Sequence, residues 1–308
     1  MKSTPLVSVV MSVFNGEKYL RESIDSVLNQ TFSEFEFIII NDGSTDDTLN
    51  IIKSYKDPRI VAITQKNQGI VGALSKGIDL AKSEYIARMD ADDICMPHRL
   101  KDQFDYMEQN NKCVLLGGNL VFIDSLGKEV LKSPMLLHDP EIRLELMVRS
   151  PFAHPAVMFR KSAYFASGGY DSATFPAEDY DLWVRMAQQG ELANVDSELL
   201  AYRLNDEGIS ATNNTDQIAN TTLISEKARQ QYDWGRMPNY RKLSQKYSDS
   251  SEYRNIQLGR LTDVYMILFR ETLSYNKSRA LRLLRSFLGS LTGVVAGIKW
   301  TKRKIFSS

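Results

Sequence analysis

The stretch Tyr85-Ile86-Ala87-Arg88-Met89-Asp90-Ala91-Asp92-Asp93 is a short apolar strand pattern that runs straight into three carboxylates. Three acids within four residues at the end of a buried strand repel one another and cost desolvation, and a divalent cation relieves both. Hard oxygen ligands select Mg²⁺ or Mn²⁺. The competing reading is a solvated acidic turn or a helix cap, since Asp93 lies near Pro97, a good first-turn residue.

Around this stretch, strand and helix signals alternate through the first half. Leu6 to Val13 is β-branched and apolar, as suits a strand buried on both faces. Glu17 to Asn29 places Leu20, Ile24, Val27 and Leu28 on one helical face. Phe35 to Ile40 is a second apolar run, closed by Asn41-Asp42-Gly43. Ser44 is expected to open a helix, with Asp47 in a capping-box position. Ile60 to Thr64 reads as a strand and Val71 to Ala81 as a helix. Such alternation predicts an α/β fold, a parallel sheet flanked by helices, with ligands beyond the C-terminal strand ends. Three polar loops then meet at one sheet edge: Asn15-Gly16, Asn41-Asp42-Gly43 and Asp90 to Asp93.

Downstream, a helix is expected from Pro97 to about Gln109. A strand follows from Val114 to Ile123, interrupted at Gly117-Gly118. Strand, helix and strand come next over Pro155 to Phe159, Asp179 to Gln188 and Leu199 to Leu204. The polar segment Asn205 to Thr222 reads as a linker, and beyond it the chain is mostly helical: Tyr253 to Tyr275, then Ser278 to about Trp300. We therefore expect a catalytic domain over 1–215 and a helical C-terminal extension over 216–308.

Two further clusters carry chemistry. Asn41-Asp42-Gly43-Ser44 offers a carboxylate to a base N–H or ribose hydroxyls, or is an ordinary turn built from turn residues. Glu178-Asp179-Tyr180-Asp181 offers a general base, or simply favours a helix N-terminus through the dipole.

The 308 residues can bury a full core, and 38 basic residues balance 38 acidic ones, so no nucleic-acid partner is expected. Two cysteines, Cys95 and Cys113, lack metal-ligand spacing and point to a reducing cytoplasmic setting. Leu6 to Phe14 reads as a strand rather than a signal peptide. No stretch reaches the ~18 apolar residues that span a bilayer; Ser286 to Ile298 comes nearest. Seven basic residues (Arg279, Arg282, Arg285, Lys299, Lys302, Arg303 and Lys304) flank an apolar stripe, and no acid follows Glu271. That pattern suits peripheral contact with an anionic membrane surface, or packing on protein, including a second subunit.

Taken together, the motifs resemble the family 2 glycosyltransferases, the inverting, non-processive GT-A type. The matching residues are Val7 to Gly16, Ser26 to Thr31, Ile39 to Asp46, Asn67 to Gly69, Tyr85 to Asp93, His154 to Arg160 and Glu178 to Trp183, in order over roughly residues 6 to 210. The resemblance implies a mostly parallel, Rossmann-like sheet and transfer of a sugar from a nucleotide diphosphate donor, UDP-sugar favoured, to an acceptor hydroxyl on a glycan or lipid-linked precursor. It implies nucleotide-sugar contacts from Val13, Asn15, Asp42, Asn67 and Asp90, with Arg88, His154 and Arg203 as further donor or acceptor contacts. Asp92, helped by Asp93, would hold Mg²⁺ or Mn²⁺, and Asp179 would be the catalytic base with Glu178 beside it. The Gln-x-x-Arg-Trp signature of processive synthases is missing. A nucleotidyltransferase would carry a Gly-rich loop with Arg after the first strand, where this chain has Phe14-Asn15-Gly16-Glu17. A non-catalytic glycan-assembly scaffold would have no need of Asp42, Asp92 and Asp179 together.

Overall fold

The computed structural model describes residues 4–205, 214–233 and 252–273, together with 238, 239, 242, 243, 245–247, 280 and 283. Two compact units divide the chain, Met1–Gln231 and Tyr232–Ser308.

The first unit is built on one mixed sheet. Strands β1 (Val7–Val13), β2 (Phe35–Asn41), β3 (Ile60–Thr64) and β4 (Tyr85–Met89) are parallel, in the order β3-β2-β1-β4. Helices α1 (Leu20–Leu28), α2 (Thr48–Ser54) and α3 (Gly69–Leu80) connect them. Every residue of β2 and β4 is buried, which explains their near-continuous apolar runs. The chain steps outward from β1 to β2 to β3, then returns to place β4 on the other side of β1. Parallel strands diverge at such a switch point and leave a crevice past their C-terminal ends.

Beyond β4 the sheet becomes mixed. It continues through β8 (Met158–Arg160), β6 (Cys113–Ile123), β9 (Glu191–Arg203) and the two-residue β5 (Ile94–Cys95), with β7 (Glu129–Ser133) on β6. β8 runs antiparallel to both β4 and β6, whereas β9 is parallel to β6. Helix α4 (Arg99–Gln109) follows β5, and α5 (Asp139–Leu146), α6 (Lys161–Ala166) and α7 (Glu178–Met186) complete the covering. The expected break at Gly117-Gly118 does not occur. β6 runs through both glycines because Asn194, Phe152 and Leu199 occupy the space where their side chains would stand; the ladder with β9 absorbs the crowding by shifting register beside Gly118.

Two other expectations need correction. The helix expected at Ser44 begins at Thr48, because Ser44, Thr45 and Asp46 are bonded to the loop after β1 instead. The expected linker Asn205 to Thr222 is helical from Asn214 onward, in α8 (Asn214–Gln231), while 206–213 lie outside the described residues. Asn and Thr are weak helix formers, but tertiary packing outweighs propensity. Ile224 and Ala228 are buried, and Asn220 Nδ2 donates to the carbonyls of Thr174 (3.2 Å) and Phe175 (2.8 Å). α8 thus belongs to the first unit, although the expected boundary would assign most of it to the extension.

The second unit carries α9 (Glu252–Leu273), which buries Leu261, Val264, Tyr265 and Leu268 along one stripe. Tyr265 Oη donates to the Pro238 carbonyl at 2.7 Å. The basic segment from Arg279 to Lys304 falls outside the described residues except at Ala280 and Leu283, which are buried. Among the described residues, no helix is long and apolar enough to cross a membrane.

Candidate functional site

The loops after β1 and β2 are zipped together. Asn15, in the left-handed region at φ 50°, accepts Thr45 N–H on Oδ1 (2.8 Å), and its own N–H donates to Ser44 Oγ (3.0 Å). Gly16 N–H donates to Thr48 Oγ1 (2.9 Å), and Glu17 N–H to Asp46 Oδ2 (3.0 Å). Asp47 N–H returns a bond to Glu17 Oε2 (2.7 Å). Asp42 lies deeper. Its N–H donates to the Val13 carbonyl (2.9 Å), and its Oδ1 accepts from Gln65 Nε2 (2.7 Å) and Gln68 N–H (2.9 Å). Gly43 has φ +82° and a Cβ there would meet Asn67 N at 2.9 Å, so only glycine lets the loop carrying Asn67 close over Asp42. Val13, Asn15, Asp42 and Asn67 therefore share one wall of the crevice.

The acidic loop forms the floor. Asp90, Asp92 and Asp93 each bring a ligand oxygen within 4.8 Å of the others. Asp93 is buried, its Oδ1 accepts Arg203 N–H (2.8 Å), and its Oδ2 has no partner. Asp92 Oδ2 accepts from Asn205 Nδ2 at 3.3 Å. Burial first, and repulsion from Asp90 next, raise the Asp92 carboxyl. The same two causes, joined by Asp92, raise Asp93 well above the carboxylate range. An orphaned buried oxygen among mutually repelling carboxylates fits a hard divalent cation. Arg88, buried in β4, pairs with Asp90.

The opposite wall comes from α7 and the segment before β8. Burial pushes Asp179 up to about 6, against the Tyr180 N–H bond to its Oδ1 that pulls it down. Burial, then the charge of Asp179, push Glu178 up to about 7. Arg88 and Asp90 both act on these two acids, so strand end and helix start share one electrostatic field. His154 Nε2 lies 2.6 Å from Tyr170 Oη, with its ring edge-on to Tyr170 and Trp183. Burial, and Arg88 after it, hold its pKa well below the usual value, which keeps the imidazole neutral.

Some site-building residues escape sequence reasoning. Ser23 Oγ bonds the carbonyls of both Asp90 (2.8 Å) and Asp93 (2.5 Å), and its one signal is a small polar residue on the apolar face of α1. Arg99, fully buried, donates to the carbonyls of Arg88 (2.6 Å) and Val157 (3.2 Å) and ties β4 to the segment entering β8. Gln65 holds Asp42 without any motif marking it, and Gln68 holds it through its main-chain N–H from within the Asn67 to Gly69 motif. Arg203, expected to contact the donor or the acceptor, has its Nε, Nη1 and Nη2 all on protein partners.

This crevice, with acids after β2 and β4 and at the start of α7, is that of a nucleotide-sugar transferase fold. The family model described as "Glycosyl transferase family 2" matches residues 8–166, and the chain belongs to that family. A glycosyltransferase of Methanocaldococcus jannaschii is 39% identical over 208 residues, covering 65% of this chain and 71% of that one. The O-antigen biosynthesis glycosyltransferase WbnJ of Escherichia coli is 36% identical over 207 residues, covering 65% and 80%. The fold matches S. aureus TarS in complex with UDP-GlcNAc at a TM-score of 0.59 and 17% identity, over 92% of this chain and 81% of that one. It also matches the mannosyltransferase PcManGT of Pyrobaculum calidifontis in complex with GDP-Man and Mn²⁺, at 0.58 and 14%, over 94% and 81%. The fold is thus of the GT-A type.

Proposed function

We propose that this chain is an inverting, metal-dependent glycosyltransferase that moves a sugar from a nucleotide diphosphate sugar, with UDP favoured, to an acceptor hydroxyl on a lipid-linked or surface polysaccharide precursor. The observation that carries this reading is the pairing of two acidic groups across Arg88: the carboxylates after β4 on one side, Glu178 and Asp179 on the other. Asp42, with Val13, Asn15 and Asn67, binds the nucleoside. Asp90, Arg88 and His154 contact the ribose, the diphosphate or the transferred sugar. Asp92 and Asp93 would hold Mg²⁺ or Mn²⁺, and the ion would supply positive charge to the diphosphate leaving group. Asp179 takes the acceptor hydroxyl proton as the new glycosidic bond forms. The bond from the anomeric carbon to the diphosphate oxygen breaks on the opposite face, so configuration inverts. Burial, with the charge of Asp90, keeps Asp179 basic, and Glu178 stands beside it. The basic segment Arg279 to Lys304 supports an acceptor carried at an anionic membrane on its cytoplasmic face.

Calorimetric titration with UDP, GDP and dTDP, each with and without Mn²⁺, tests this reading. Metal-dependent binding of UDP in preference to the others is expected, and no binding of any of the three would end it. A second expectation follows from the acids of α7. A base must be ionised to accept a proton, and Asp179 titrates at about 6. The value of kcat/KM for the acceptor is therefore expected to fall tenfold per pH unit below about pH 6 and to level off above it. A flat profile between pH 5 and 7 would exclude Asp179 as base.

A further inference from the structure

We propose that Arg203 is a positioning residue that presets the acidic loop before any ligand arrives, acting through Asp92 and Asp93 rather than touching the donor. This rests on the reading of Asp92 and Asp93 as metal ligands. Arg203 ends β9 and its side chain is 1% exposed. It joins three separate segments. To the acidic loop, its main-chain N–H donates to Asp93 Oδ1 (2.8 Å) and its Nε to the Asp92 carbonyl (2.8 Å). To α1, its Nη2 donates to Glu22 Oε2 (2.5 Å), and its guanidinium lies 4.3 Å above the Tyr19 ring centre. To the turn between β6 and β7, its Nη1 donates to the carbonyls of Asp124 (3.2 Å) and Ser125 (3.4 Å).

A buried guanidinium is costly unless its donors are satisfied, so an arginine drawn into this place fixes the geometry of everything it bonds. Here it pins the backbone at Asp92, next to a carboxylate whose Oδ2 has no protein partner. Without such a tie, three mutually repelling acids would splay apart when no cation is bound. Glu22 completes the arrangement by neutralising the guanidinium from the α1 side. Partners of this kind, which orient ligands without being ligands, typically change metal affinity by about 10- to 100-fold.

The experiment compares the full chain with Arg203→Ala, Arg203→Lys and Glu22→Ala. Its first readout, hydrogen exchange of the amides from Ala91 to Cys95 in the ligand-free protein, needs no metal or donor. Arg203→Ala is expected to speed exchange there about tenfold while amides of β1 and β2 stay as in the parent. Its second readout is calorimetric Mn²⁺ affinity in the presence of UDP, expected to weaken about 10- to 100-fold. Lysine brings the charge but not the fork that reaches three segments, so Arg203→Lys is expected to behave like the alanine variant. Rescue by lysine would mean that charge alone matters and would overturn the clamp. Unchanged exchange in Arg203→Ala would overturn it directly. Faster exchange with parental Mn²⁺ affinity would overturn its role in presetting the ligands. Should Arg203→Ala fail to fold, Glu22→Ala decides: smaller shifts in the same direction support the clamp, and none refutes it. A parent protein that takes up no Mn²⁺ would instead strike at the metal reading, and the exchange data would still decide the clamp.

Discussion

Asp179→Asn is expected to bind nucleotide and metal as the parent does and to transfer sugar about 10²- to 10⁴-fold more slowly, the usual cost of losing a general base. The substitution preserves shape. Asparagine still offers an oxygen to the Tyr180 N–H that Asp179 Oδ1 now accepts at 2.7 Å. What disappears is basicity. Stability should not suffer. The folded carboxyl titrates at about 6 against an ordinary 3.8. Its favourable contribution is therefore present below about pH 4 and lost as pH rises through 6, where the ionised group strains against its burial. A neutral asparagine escapes that penalty, so the variant is expected to melt at or above the parental temperature at pH 8. Single-turnover transfer beside a melting curve separates the two effects. Parental turnover would remove Asp179 from the chemistry and direct attention to Glu178.

Asp92→Ala is expected to abolish the Mn²⁺ dependence of nucleotide binding, with metal affinity falling on the order of 10²-fold or more, since even the outer partners of a metal site cost about 10- to 100-fold. Removing one of three mutually repelling acids relieves strain in the ligand-free loop, so the fold should survive. Asp93 stays pinned through Arg203 N–H and Ser23 Oγ, whatever happens at position 92. UDP titrations with Mn²⁺ and with chelator give the test. An unchanged difference between the two conditions would place the metal elsewhere. Asp92→Ala removes a ligand atom, whereas Arg203→Ala keeps all three carboxylates but loosens their hold; equal losses in both would show that holding the loop matters as much as owning the ligand.

Much of this arrangement is legible along the chain. The alternation of apolar strands with helical stripes points to a parallel sheet, and the sheet places Asp42 and Asp90 to Asp93 at one edge, because side chains just past parallel strands have nowhere else to go. These are local properties, set by periods of two and 3.6 residues. Where the structure departs from the local pattern, a distant partner outweighs a local preference. Ser44 does not open a helix because Asn15 and Glu17 claim its neighbours. The Asn- and Thr-rich start of α8 is helical because the turn at Phe175 accepts Asn220, while Lys227 near the other end of the helix reaches Asp181 of α7.

The parallel half of the sheet, its strand ends and the acids that stand on them follow from residues within a few positions of one another. How the acidic cluster is held, and what faces it, depends on long-range packing. Ser23 reaches Asp93 across 70 positions and Arg203 reaches it across 110, and no spacing rule spans such distances. The resemblance offers Arg203 as a donor or acceptor contact, and packing places its guanidinium on the Asp92 carbonyl, Glu22 and the turn at Asp124. A buried guanidinium must satisfy its donors where it lies, and that requirement is settled by the neighbours folding supplies.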